Sequence, residues 1–107
     1  MSTDGTISVV IGSMASPDAL RACLDALEPQ RGGAEVLVCE ATETPRELRG
    51  RYAWAQFIER HGGLVPELWR DGIDASTGDI VALTISPMVP APDWLAKIKE
   101  EHASHDV

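Results

Sequence analysis

Apolar residues fall along this chain in short blocks whose period switches between near-continuous and helical. Ile7, Val9, Val10 and Ile11 form a β-branched, almost unbroken run, which predicts a strand covered on both faces. Gly12 and Ser13 end it. Ser16 offers an N-cap, Pro17 a first helical position and Asp18 a first-turn acid, after which Leu20, Cys23, Leu24 and Leu27 recur at three- and four-residue spacing. That helix is expected to end near Pro29. Beyond the turn at Gly32 and Gly33, "AEVLVCE" predicts a second buried strand, Glu35 to Glu40.

The middle of the chain is less regular. Thr44, Pro45 and Glu47 resemble a helix start, and Arg46, Arg49 and Arg51 indicate a short exposed turn or helix. "WAQFIE", Trp54 to Glu59, alternates and predicts a third strand, with His61, Gly62 and Gly63 in the loop that follows. From Pro66, the residues Leu68, Trp69 and Ile73 mark a helix face, and Gly78 stands where a helix commonly closes with a left-handed residue. "DIVALTI" predicts a fourth strand, a turn passes through Pro87 and Pro90, and a last helix begins near Pro92 with Trp94, Leu95 and Ile98 inward. Strands alternating with helices predict an α/β fold: a three-layer, Rossmann-like parallel sheet of order 3-2-1-4 with helices on both faces. The ligand crevice of such a sheet opens at the carboxyl ends of its strands, here Gly12 and Ser13, Glu40 and Ala41, and Thr84 to Ser86.

Composition narrows the partners. The 107 residues make one domain, and the formal net charge of -8 opposes nucleic acid and anionic lipid. No stretch is apolar for the length of a membrane span, so no membrane insertion is expected. "MSTDGTISVVIG" lacks the basic segment and long apolar core of a secretory signal, which makes a cytoplasmic location the expectation. Cys23 and Cys39 fit no metal or redox spacing and read as buried free thiols.

Three stretches carry a resemblance to a known family. "ISVVIGSMASPDALRACLDAL", "EVLVCEATET" and, most specifically, "LWRDGIDASTGDIVALTISPMVPAPDWL" resemble the N-terminal, nucleotide-sugar-binding half of a family 2 glycosyltransferase of the GT-A fold. The resemblance implies a nucleotide-diphosphate sugar as ligand and inverting transfer of the sugar. It places Gly12 and Ser13 where the backbone approaches the nucleobase, and Glu40 where an Asp usually binds the nucleotide. Arg70 falls near a donor-side Asn, and Ser86 within reach of a phosphate or sugar hydroxyl. Ile85, Ser86 and Pro87 occupy the position of the family's metal-binding acidic motif. Isoleucine and proline offer no ligand atom to a hard cation, so neither a metal of the usual kind nor another cofactor is expected.

The family's acceptor site and catalytic base lie beyond the fourth strand and its helix, so the chain is expected to be truncated relative to the full family domain. The reading is then a donor-binding domain that is metal-independent or catalytically impaired. The alternative is a non-catalytic pseudoenzyme of the same fold, acting as an interaction or oligomerisation module. Each candidate also has a plain reading: Glu40 as a strand-end carboxylate, Ser86 as a strand-end serine, and Arg46, Arg49, Arg51 and Arg70 as a solvated face. Asp79 reads as a turn residue and Asp93 as a helix-dipole partner. His61, His102 and His105 read as solvent-exposed, and the three tryptophans as packing. An outer edge left open on the fourth strand would attract a partner, which makes a homo-oligomer a further expectation.

Overall fold

A computed structural model describes residues 6–14 and 16–104 of the chain, with side chains through 101. β1 (Ile7–Ser13) is buried at every position, and around it the other strands assemble: β2 (Glu35–Glu40), β3 (Gln56–Glu59) and β4 (Ile80–Ile85). The order is β3-β2-β1-β4 and every pairing is parallel. Four helices connect and cover the strands: α1 (Pro17–Leu27), α2 (Arg46–Arg51), α3 (Val65–Ala75) and α4 (Trp94–Ser104). The predicted architecture and strand order are those observed.

The pleat of β1 divides the interior in two. Ile7, Val9 and Ile11 face α1, α2 and α4, packing with Leu20, Leu24, Leu27, Val36, Val38, Leu48, Tyr52 and Leu95. Val10 faces the other way, onto Leu37, Cys39 and Leu68 beneath α3. α3 sits close to the sheet because Gly72 has no side chain. A Cβ there would lie 2.2 Å from Val10 Cγ1 and 3.0 Å from Cys39 Sγ. The two cysteines are free and buried, and burial pushes each thiol up to about 11.

Local sequence rules account for the helix ends with two corrections. Ser16 caps α1 by accepting from the Ala19 N–H, with Pro17 at the start as expected, and a 3₁₀ turn over Glu28–Gln30 carries the chain past Pro29. Gly78 is not a left-handed cap. α3 ends at Ala75 with Ser76 extended, and among the described residues only Gly32 and Gly62 have positive φ. Gly78 is small for a different reason: a Cβ would meet Ser8 Oγ at 2.6 Å and Ser8 N at 2.8 Å. β3 starts at Gln56 and not at Trp54, because the Ala55 N–H bonds back to Tyr52 O in the turn that closes α2. Trp54 instead packs edge-on against Tyr52 and lies under the Arg31 guanidinium.

The amino-terminal ends of the strands are tied by Glu35. Its Oε1 accepts from the Ser8 hydroxyl at 2.7 Å and from the Thr77 N–H at 2.8 Å, joining β2, β1 and the loop into β4. These donors, Ser8 first, hold the Glu35 carboxyl below its ordinary value. A lowered folded value contributes stability in full above the unfolded value and loses it as pH falls through the folded one. Urea midpoints are therefore expected to drop between about pH 5 and about pH 3, and Glu35→Gln to show a shallower decline over that window. Identical pH slopes in the two proteins would contradict this role for Glu35.

Candidate functional site

The carboxyl ends of β1, β2 and β4 meet in one ledge. In register, Gly12 lies between Cys39 and Ile85, and Ser13 pairs with Glu40. The ladder continues one step past each strand: Ala41 N donates to Ser13 O and Ser86 N to Gly12 O, both at 3.0 Å. Gly12, Ser13, Glu40 and Ser86 are thus brought together by the sheet itself. Arg70 is not part of this convergence. It is exposed on α3, one residue from Trp69, and its charge falls on neighbouring Asp71.

Each of the four has a definite setting. Gly12 opens toward α3, where an added Cβ would stand in ordinary contact with Leu68 Cδ1 and Trp69 Nε1 at 3.6 Å. Trp69 is fixed there by donating its indole N–H to Thr84 O at 2.9 Å. Ser13 is buried and lines a small cavity of about 50 Å³ with Pro17, Leu20, Thr42, Glu43, Thr44 and Pro45. This cavity lies between the loop after β1 and the loop after β2. Ser86 is fully buried, followed by exposed Pro87 and Met88.

Glu40 is more enclosed than a strand-end carboxylate on the surface would be. Its side chain is fully buried, with Oε2 accepting from the Thr44 N–H at 2.8 Å and Oε1 from Arg49 Nη2 at 2.6 Å. The carboxylate is spent on shaping the loop from Ala41 to Pro45. Arg49 also bridges to Glu59 at 3.0 Å and lies over Phe57, while Arg51 pairs with Asp25 and Tyr52. Two of the four arginines read as a solvated face are therefore structural. Sequence spacing gave little notice of this, since a pairing across nine residues between a strand end and a short helix has no periodic signature. The Thr42–Pro45 wall of the cavity was likewise missed, because Thr44 and Pro45 read as a helix start.

The end of β4 presents Ile85, Ser86 and Pro87. A hydroxyl between isoleucine and proline is a poor donor set for a hard divalent cation, which is held by carboxylates and phosphate oxygens. Among the described residues no group of three or more His, Cys, Asp or Glu is placed to hold a metal.

No protein-family model matches the sequence, and no curated protein matches it. Solved structures do share its fold. A mycobacterial protein of known crystal structure superposes with a TM-score of 0.73 at 26% identity, over 95% of this chain and 38% of that one. The mannosyltransferase PcManGT from Pyrobaculum calidifontis, solved in complex with GDP-Man and Mn2+, superposes with a TM-score of 0.67 at 19% identity, over 89% of this chain and 33% of that one. The chain has a glycosyltransferase-type, Rossmann-like fold. It spans about a third of the length of each of these structures. No helix among the described residues is long and apolar enough to cross a membrane.

Proposed function

We propose that this glycosyltransferase-like chain binds a nucleotide-diphosphate sugar on the ledge formed by β1, β2 and β4, as the donor-binding part of a family 2 glycosyltransferase that transfers sugar with inversion. The observation that carries the reading is the cavity beside Ser13, set between the loops that follow β1 and β2 in a fold shared with a mannosyltransferase solved with GDP-Man. Its volume of about 50 Å³ admits a few water molecules, so a nucleobase enters by opening the Thr42–Pro45 loop. In this reading Gly12 and Ser13 line the base, Glu40 acts through the loop that it anchors, and Ser86 serves the diphosphate end, while Arg70, exposed on α3, has no part in it. With no carboxylate at the end of β4, the leaving diphosphate is stabilised by donors of the protein or is not activated at all.

Thermal unfolding with GDP and with UDP, each with and without MnCl2, tests this. A ligand at about 100 times its Kd stabilises by about 2.7 kcal/mol, which for a chain of this size raises Tm by roughly 10 °C or more. The expected result is a rise with at least one nucleotide that is the same with and without manganese. A rise only with manganese would contradict the metal-independent reading. No rise with either nucleotide at millimolar concentration would favour the second reading, a non-catalytic module of the same fold, for which the donor set at Ile85 to Pro87 already speaks.

A further inference from the structure

At the amino-terminal end of the sheet, away from the ledge, the described residues surround a cavity of about 330 Å³ between the start of β1, the turn into β2 and α4. Ligand pockets span about 300–1,000 Å³, so this one suits a small molecule. Its floor is apolar, made by buried Ile7 and Leu95 with Ala34 and Ala96 beside them. Its walls carry two of the nine Lys and Arg residues of the chain, Arg31 and Lys99, and none of the 17 Asp and Glu. In a chain of net charge -8 this is a local reversal of sign, and a concave site lined by one sign of charge concentrates the opposite one.

The walls are fixed by groups whose hydrogen bonds are already made. Gln30 donates through Nε2 to Ala26 O at 3.0 Å and to Ala91 O at 2.8 Å, and its Oε1 accepts from the Leu95 N–H at 2.9 Å, which ties the end of α1 to the start of α4. The turn from Arg31 to Ala34 is closed by the Ala34 N–H on Arg31 O at 2.7 Å, with Gly32 at a φ of 50°. The two cations differ: among the described residues no carboxylate pairs with Arg31 or Lys99. Arg31 stacks on Trp54 at 4.6 Å from the ring centroid, and this stack holds two buried N–H groups that meet no acceptor among the described residues, Arg31 Nε and Trp54 Nε1. A buried donor without a partner is destabilising, and an oxyanion is the strongest acceptor for a guanidinium N–H. Inorganic phosphate would use the cations but leave the apolar floor uncovered, and as a dianion it meets a larger repulsion from the rest of the chain. A singly charged anion with an apolar body matches floor and walls together.

We propose that this cavity binds a small organic monocarboxylate, with the carboxylate held by Arg31 and Lys99 and a short apolar tail laid on Ile7 and Leu95. The proposal is independent of the nucleotide reading, since the cavity lies at the opposite end of the sheet from Gly12, Ser13 and Ser86. Backbone amide NMR shifts of the full chain, titrated with hexanoate, test it, with hexanol as a probe of the tail alone and inorganic phosphate as a probe of the charge alone. Saturable shifts at Gly32, Gly33, Leu95 and Lys99 are expected with hexanoate at a Kd of about 1 mM or below, and with either control at least about tenfold weaker. Lys99→Met changes an exposed side chain and is expected to keep the amide spectrum of the fold while weakening hexanoate at least about tenfold. Arg31→Met, which also removes the stack on Trp54, is the second variant, with the same loss expected. No saturable shift with hexanoate up to about 20 mM, hexanol or phosphate bound as tightly as hexanoate, or an unchanged affinity in Lys99→Met would overturn the proposal.

Discussion

An Arg49→Met variant is expected to unfold about 2–3 kcal/mol more readily than the native chain, with Tm lower by roughly 10–15 °C. The reason lies in how Glu40 is housed. Its side chain has no exposed surface, and Arg49 supplies the only cation among the described residues found at hydrogen-bonding distance, 2.6 Å from Oε1. Methionine keeps much of the aliphatic stem over Phe57 but leaves the buried carboxylate without its counter-charge. Breaking a fully buried pair from one side costs about 3–5 kcal/mol; the lower figure is used because the Arg49 side chain is 32% exposed and water can reach part of the vacated space. Urea unfolding of the single variant and of Arg49→Met combined with Glu40→Gln separates the causes. If the loss comes from a stranded charge, the neutral amide restores most of it. If the double variant is no more stable than the single, the pair is not what holds the loop from Ala41 to Pro45.

The second large effect is expected from one added methyl group. Gly72→Ala should destabilise by about 2 kcal/mol even though alanine favours a helix interior by about 1 kcal/mol over glycine. The new Cβ would stand 2.2 Å from Val10 Cγ1, and Val10 is wholly buried on the central strand with neighbours on both sides. α3 must therefore lift from the sheet, loosening Leu68 above Leu37 and Cys39. Gly50→Ala in α2 is the control, since a Cβ there meets nothing within 4 Å and propensity alone should leave it neutral or up to about 1 kcal/mol more stable. Equal stabilities for the two variants would show that the sheet yields at Val10 more easily than its burial implies.

These two residues also show where reading the sequence succeeds and where it stops. β1, β2, β4, α1 and the strand order follow from period and punctuation, because a buried strand and an amphipathic helix each impose a repeat on the chain. The ledge followed from the same source: once the order is 3-2-1-4, topology alone brings Gly12, Ser13, Glu40 and Ser86 together. Arg70 lay on the right helix but on its exposed outer side, a matter of phase that the resemblance did not settle. What period cannot convey is long-range polar pairing. Glu40 with Arg49, Glu35 with Ser8 and Thr77, and Trp69 with Thr84 each join elements whose spacing in sequence carries no repeat. Tyr52, fully buried with its hydroxyl on Asp25, sits just before the predicted third strand and was not distinguished as core for the same reason. Gly72 and Gly78 are small because of what lies opposite them in space, and a glycine in a sequence does not name its neighbour.

The nucleotide-diphosphate site proposed above lies on the carboxyl ends of β1, β2 and β4. Opposite this ledge, at the other end of the sheet, a larger cavity of about 330 Å³ is lined by Thr6, Ile7, Arg31, Leu95 and Lys99, among others, and offers a competing place for an anion. Backbone amide NMR shifts of the folded chain, titrated with GDP and then UDP, distinguish the two. Saturable shifts at Gly12, Ser13, Thr42, Thr44 and Ser86, unaltered by a diamagnetic divalent ion such as Mg2+, are the predicted result. Shifts confined to Thr6, Arg31, Gly32 and Lys99, or none at millimolar nucleotide, would contradict the account.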